Sequence, residues 1–467
     1  MTAHPEDQKD IAITRRLIWL YCFTWLIEGA LRKWIFPNYS LQFLLIRDPL
    51  VLMIYWWAIR ARVFPNNGWM KAFWSISGAI AVQAFFNLFS IGGSVAVIAF
   101  GFRTFVLHLP LIWVVAAVFG RKDILALGKW WLYFAPFIAI LMVIQFELPG
   151  DHWLNAASLK GGSQIGSVGF KIRPPAIFSF ITGPIHFFAL CAAFTIAGFL
   201  KRDYFPRWLV LVGVVSTLVA MSVSGSRALV LGVVVVAAVG AMASLRTGKS
   251  AGGAIALAIV VLAVGAFLSR FQVLQEGQAA FEERWSSSEE SGDSGGTVIA
   301  GRYGRSFTSA FEWAKRVPLF GLGVGISSNL ATEHKNFEAP VEQEWERVIY
   351  EIGPITGFLY LAFRAALSFK VFSSGYTALR SNNSMCILLG AACALDLLNN
   401  NLRQVTTCGY VSICAGLCFA AFKAFSTDSA STNTSEPSHL DPQPAPLEKP
   451  RIRGRGPLAV GGKPAAS

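Results

Sequence analysis

Apolar blocks of roughly 20 residues, the length that crosses a bilayer as a helix, recur along this chain and constrain its fold more than any other feature. They lie at 16–36, 41–60, 70–90, 95–119, 124–146, 176–200, 207–222, 227–245, 251–268, 347–371, 384–401 and 405–425. In lipid every backbone polar group must be satisfied inside the protein, so such blocks predict helices. Hydrophobic residues make up 54% of the chain and charged residues 14%, against about 25% charged in soluble domains. A single water-soluble domain is excluded, because no fold of this size hides so much apolar surface. The expected fold is an all-α polytopic membrane protein of about twelve spans. The seventh and eighth are separated only by Ser222-Val223-Ser224-Gly225-Ser226.

Lys and Arg alternate between the connections. Arg60, Arg62 and Lys71 occupy the second, Arg121, Lys122 and Lys129 the fourth, and Lys201, Arg202 and Arg207 the sixth. Arg246 and Lys249 follow in the eighth, and Lys370 and Arg380 in the tenth, whereas the first and third carry none. The positive-inside rule then puts both termini in the cytoplasm and makes the net charge of +13 a matter of orientation, not of nucleic-acid binding. Residues 1–15 form a cytoplasmic N-terminus. Arg15-Arg16 then precede an apolar run with no A-x-A cleavage signal, which predicts an uncleaved first span. Spans one to nine occupy 16–268 with an outer loop at 147–175, a large outer loop covers 269–346, and spans ten to twelve occupy 347–425. The Ser, Thr and Pro-rich tail at 426–467 is expected to be disordered and cytoplasmic. Within the large loop, Ser286–Gly296 is expected to be mobile, and Phe307 and Phe311 stand at helical spacing.

Seven cysteines without framework spacing argue against a disulfide scaffold. Cys414 and Cys418 are four apart but have no His or carboxylate nearby in sequence, so they predict packing and not a metal site. No internal repeat is visible, and the one interrupted region, around Gly225, has no counterpart of the kind that marks inverted-repeat transporters.

With this orientation the ionisable residues of the spans collect on the outer side. Glu28, Arg32 and Lys33 end the first span, Arg47 and Asp48 open the second, and Gln83 and Asn87 lie late in the third. Arg103 sits inside the fourth span. Glu147 and Arg173 flank the first outer loop, Arg227 tops the eighth span, and Asp396, Asn399–Asn401 and Arg403 close the eleventh. Charges in a membrane are costly and are usually functional or paired; Glu28 and Arg32 have the spacing of a helix ion pair. A one-sided pocket rich in Arg points to an anion, because the guanidinium grips phosphate oxygens in a bidentate fork.

Four stretches carry a resemblance. Arg173-Pro174-Pro175-Ala176-Ile177-Phe178 precedes a span, and Ser224-Gly225-Ser226-Arg227-Ala228 opens another. Pro318-Leu319-Phe320-Gly321-Leu322-Gly323-Val324-Gly325 follows Arg302, and Glu351-Ile352-Gly353-Pro354-Ile355-Thr356-Gly357 opens the tenth span. In this order, with the large loop between them, they resemble the O-antigen ligase and O-antigen polymerase superfamily over about residues 170–365. The resemblance implies glycan transfer from undecaprenyl diphosphate at the outer face of the bacterial inner membrane. The acceptor is lipid A core for ligases and another lipid-linked repeat for polymerases. It implies no metal or nucleotide cofactor and leaves room for polysaccharide-assembly proteins as partners. The sequence departs from the family at several places. Ala176 replaces a Gly of the Arg-Pro stretch, and Glu342-Gln343 stand where ligases carry His-Asn, with His334 eight residues earlier. These departures favour a polymerase or another transfer branch.

The chemistry needs few groups. Arg173, Arg227 and Arg302, with Arg103 and Arg403 on the same side, are candidates to neutralise a leaving diphosphate. Glu342, then His334, is the candidate base for the acceptor hydroxyl. Each has an ordinary alternative: Arg227 as a snorkelling span end, Arg302 as a solvated residue, Glu342 as part of a charged loop face with Glu338, Glu344 and Glu346. A transporter or channel for anionic solutes is the second functional reading, and a non-catalytic envelope scaffold the third.

Overall fold

The computed structural model describes residues 5–90, 94–158, 171–246, 295–328 and 343–425, with parts of 262–282 and 330–341. The predicted span at 251–268 lies largely outside the described residues, as do most of 286–296 and the tail from 426. Among the described residues the fold is all helical.

Helices α1 (Pro5–Ala30), α2 (Ser40–Leu44), α3 (Arg47–Arg60) and α4 (Gly68–Ser90) open the chain. They are followed by α5 (Val95–Val106), α6 (Leu111–Val118), α7 (Arg121–Glu147), α8 (Thr182–Leu200), α9 (Arg207–Val223) and α10 (Arg227–Arg246). A connection then carries α11 (Gly295–Ala314), and α12 (Glu344–Leu379), α13 (Ser384–Asn399) and α14 (Val405–Ala424) complete the bundle. Among the described residues seven helices are long and apolar enough to cross a membrane: Pro37–Arg60, Gly68–Phe89, Arg121–Glu147, Thr182–Leu200, Arg227–Arg246, Glu344–Leu379 and Val405–Ala424.

Burial sorts these helices. The apolar windows of α8 and α14 are 83% buried inside the protein, those of α10 and α4 only 28% and 33%. The first pair therefore forms the centre, with α6, α12 and α13 packed on it, and the second pair presents apolar side chains outward. Close packing rests on small residues. A Cβ at Gly409 of α14 would collide with Arg47, and one at Gly416 would crowd Val115 and Ile112. All seven cysteines are free and buried, with Cys386 and Cys418 sulfurs 3.7 Å apart.

Three elements differ from the simple block reading. The block at 95–119 is two helices bent by 42° around Leu107–Pro110, where the His108 carbonyl accepts from Leu111 N–H at 3.1 Å and from the Ser412 hydroxyl at 3.0 Å. The block at 176–200 becomes helical only at Thr182, after a turn in which Ala176 takes a φ of 51°. The tenth block is broken at Gly353, whose φ of 72° and ψ of 170° are not helical. Twenty residues of straight helix span ~30 Å, yet Arg364 Nη1 lies 2.6 Å from Glu344 Oε1. Glu344–Ile352 therefore folds back beside Pro354–Arg364. A loop secures the reversal: Leu322 N–H donates to Tyr350 O at 2.9 Å and Gly323 N–H to Glu351 O at 3.2 Å.

Candidate functional site

The fold-back places two carboxylates and two arginines in the protein interior. Glu344, Arg347 and Glu351 follow i, i+3 and i+4 spacing on the folded-back turns. Arg347 grips Glu344 with two bonds of 2.8 and 3.0 Å and reaches Glu351 at 3.1 Å. Arg364 adds its bond to Glu344 and also donates to Leu397 O at 3.0 Å and to Asn400 O at 2.8 Å. A buried charge is tolerable only when paired and hydrogen-bonded, and each member here is both.

The cluster continues toward the α11–α12 connection. Glu351 accepts from the Ser327 hydroxyl and from Gly325 N–H at 3.2 Å. Arg403, between α13 and α14, donates to the Ser327 carbonyl and, at 3.2 Å, to its hydroxyl. Burial lowers the pKa of Arg403 below its ordinary value, and the neighbouring Arg347 charge acts in the same direction. The guanidinium stays charged nonetheless, and among the described residues no carboxylate lies within ion-pair distance of it.

A second cluster lies where α1 meets α3. Leu31–Ile35 is a widened π-helical turn with both Arg32 and Lys33 buried. Glu28 pairs with Arg32 at 3.2 Å and with the fully buried Arg47 at 2.7 Å. Arg32 also donates to Ser179 Oγ at 3.1 Å, and Lys33 to Ala176 O. Gln145 clamps the same Ala176: its Oε1 accepts from the backbone N–H at 2.7 Å and its Nε2 donates to the carbonyl at 3.2 Å. Next to Arg47, Asp48 takes two bonds from Arg103 and lies 3.1 Å from His108 Nε2; His108 Nδ1 lies 3.0 Å from the Tyr21 hydroxyl. The two clusters meet where Gly101 packs backbone to backbone on Gly325 and Arg347 stacks over Phe105 at 4.8 Å.

A third group stands at the same end. His186 Nδ1 lies 3.2 Å from Asp396 Oδ2, and its Nε2 lies 3.1 Å from Thr407 Oγ1. The ring stacks on Tyr410 at 4.4 Å. Asn400 Nδ2 donates to Asp396 Oδ1 at 3.0 Å, so one short loop serves both Asp396 and Arg364.

Of the residues singled out by sequence, Arg103 and Arg403 thus belong to two polar clusters that pack against each other. Arg173 and Arg227 stand half-buried before α8 and at the start of α10. These two helices pack in parallel, with Gly232 beside Ala189 and Gly240 beside Ile196. Arg302 lies on α11, one turn before Ser306, whose hydroxyl donates to Gln343; its side chain lies outside the described residues, as do Glu342 and His334. Sequence reasoning passed over Tyr21, His108, His186, Arg347 and Arg364. A signal existed for Arg364, a lone charge deep in an apolar block, and for Arg347, whose spacing from Glu344 and Glu351 is that of helical ion pairs. The histidines gave none, because their partners come from distant helices. No family model matches the chain, and no curated protein matches it.

Proposed function

We propose that this chain is a glycan-transfer enzyme, polymerase or ligase-like, that acts at the periplasmic face of a bacterial inner membrane. It takes its glycan from undecaprenyl diphosphate and passes it to a glycan or lipid acceptor, without a metal. About twelve spans with both termini cytoplasmic complete the proposed topology. The observation that carries the reading is an excess of guanidinium at one end of an apolar bundle. Glu28, Asp48, Glu344 and Glu351 face Arg32, Arg47, Arg103, Arg347 and Arg364, and Arg403 adds a further cation whose guanidinium, among the described residues, bonds to Ser327. Such a surplus attracts an anion that arrives with its own charge, and a diphosphate fits Arg forks. The left-handed backbone at Ala176, where the family it resembles carries Gly, supports the same reading.

In the reaction the acceptor hydroxyl attacks the anomeric carbon, the bond to the diphosphate breaks, and the electron pair leaves with the phosphate oxygen. Arg403, Arg227, Arg173 and Arg302 are the proposed groups that stabilise that charge as it grows, and Glu342 or His334 is the proposed base from the motif register. The interruptions at Leu107–Pro110, Ser224–Ser226 and Gly353 favour a second reading as an anionic-solute transporter. One experiment separates the two. Purified protein in nanodiscs is given labelled glycan on undecaprenyl diphosphate and an acceptor, and proteoliposomes are tested for anion uptake. Transfer without uptake is the expected result; uptake without transfer overturns the enzyme reading. Arg227→Lys keeps the charge but loses the fork and is expected to cut transfer by about 10²-fold or more. Wild-type transfer by Arg227→Ala makes that residue an anchor only. On the motif register Glu342→Gln abolishes transfer and His334→Ala reduces it less, the reverse order moves the base to His334, and transfer retained in both variants places the base elsewhere.

A further inference from the structure

Of the carboxylates in the polar network, four are cancelled by arginine. Glu28 faces Arg32 and Arg47, Asp48 faces Arg103, Glu344 faces Arg347 and Arg364, and Glu351 faces Arg347. A carboxylate whose oxygens are taken up by guanidinium N–H groups has fewer lone pairs left for a substrate hydroxyl. These four are also the less accessible: side-chain exposure is 3% for Glu28, 15% for Asp48, 0% for Glu344 and 1% for Glu351. Asp396 differs on both counts. Its side chain is 24% exposed, and its contacts among the described residues are a neutral amide, Asn400, and an imidazole, His186.

The imidazole is held for one orientation. Tyr410 covers its face, Thr407 Oγ1 stands at Nε2, and α8 buries the ring to 1% exposure. His186 Nδ1 makes no hydrogen bond among the described residues, and Asp396 Oδ2 is the carboxylate oxygen that faces it at 3.2 Å. A buried ring nitrogen with no hydrogen-bond partner of its own, facing a partly open carboxylate, is an acid–base arrangement that a merely structural histidine does not need. The loop that holds Asp396 also holds Arg403: Asn400 bonds Asp396, and Asn401 Oδ1 accepts from Arg403 N–H at 3.0 Å.

We propose that Asp396 is the proton acceptor for the acceptor hydroxyl, with His186 as its positioning residue. The inference rests on the transfer reading above. The hydroxyl proton passes to an Asp396 oxygen as the acceptor oxygen bonds to the anomeric carbon, the diphosphate leaves with the electron pair, and Asp396 then returns the proton to water at the open end. This assignment takes the place of Glu342 and His334, so transfer retained in both Glu342→Gln and His334→Ala is expected.

The test is transfer by purified full-length protein in nanodiscs, with undecaprenyl-diphosphate binding measured on the same samples. If the wild type transfers no glycan, the functional reading itself fails. If it does, Asp396→Asn is expected to lower the turnover rate by 10²-fold or more, the range of a lost general base, with diphosphate binding kept and activity partly restored in Asp396→Glu. A smaller loss overturns the assignment while the transfer reading stands. His186→Gln is expected to cost 10-fold or more alone and nothing further in the Asp396→Asn background. Losses that multiply mean that His186 acts independently and overturn the pairing.

Discussion

Ala176 shows how a single residue carries tertiary information. Its φ of 51° lies in the left-handed region, which costs a non-glycine residue about 1–2 kcal/mol. Gln145 and Lys33 hold the strained turn from both sides. Ala176→Gly relieves the strain but removes a buried methyl and loosens the unfolded chain. Its melting temperature in detergent is expected to match the wild type within the equivalent of about 1 kcal/mol. Ala176→Val adds a β-branched side chain where φ is positive and is expected to cost about 3 kcal/mol or more; equal melting of the two variants would mean the turn is not left-handed. The Arg-Pro stretch was legible in sequence, and so was the place of the missing Gly. The clamp by Gln145 was not, because that residue lies on another helix.

At the scale of elements, Gly353 is the decisive position. A Cβ there would collide with Leu319 O and Gly321 N, and its φ and ψ are open essentially to glycine alone. Gly353→Ala is expected to undo the fold-back and with it the Glu344–Arg364 pair, whose rupture leaves charges buried at a cost of about 3–5 kcal/mol. The loss is read as a lower melting temperature together with new protease cleavage between Gln343 and Pro354. A full-length protein that melts like the wild type would show that the reversal does not depend on glycine. Apolar blocks told where helices run, since each needs only its own residues. They did not tell that Glu344–Ile352 turns back, because hydropathy has no direction; the Gly353-Pro354 pair was the available hint.

For the whole molecule, the alternating Lys and Arg connections predict one orientation. Reporter fusions after Ala300 are expected to read periplasmic and fusions after Ser431 cytoplasmic; the opposite result at either place reverses the proposed face of the site. What the sequence determined by itself is the all-helical, membrane-adapted character of the chain, because the hydrophobic effect and backbone hydrogen bonding act on each segment locally. It also led to the expectation that the polar residues fall at matching ends of their blocks. Only the tertiary structure decided which charge neutralises which. It put Arg103 on Asp48 and Arg364 on Glu344, and it left Asp396 to His186 and Arg403 to Ser327. Ion pairing acts over a few ångströms between helices far apart in the chain, and spacing along one segment carries no record of its partner on another.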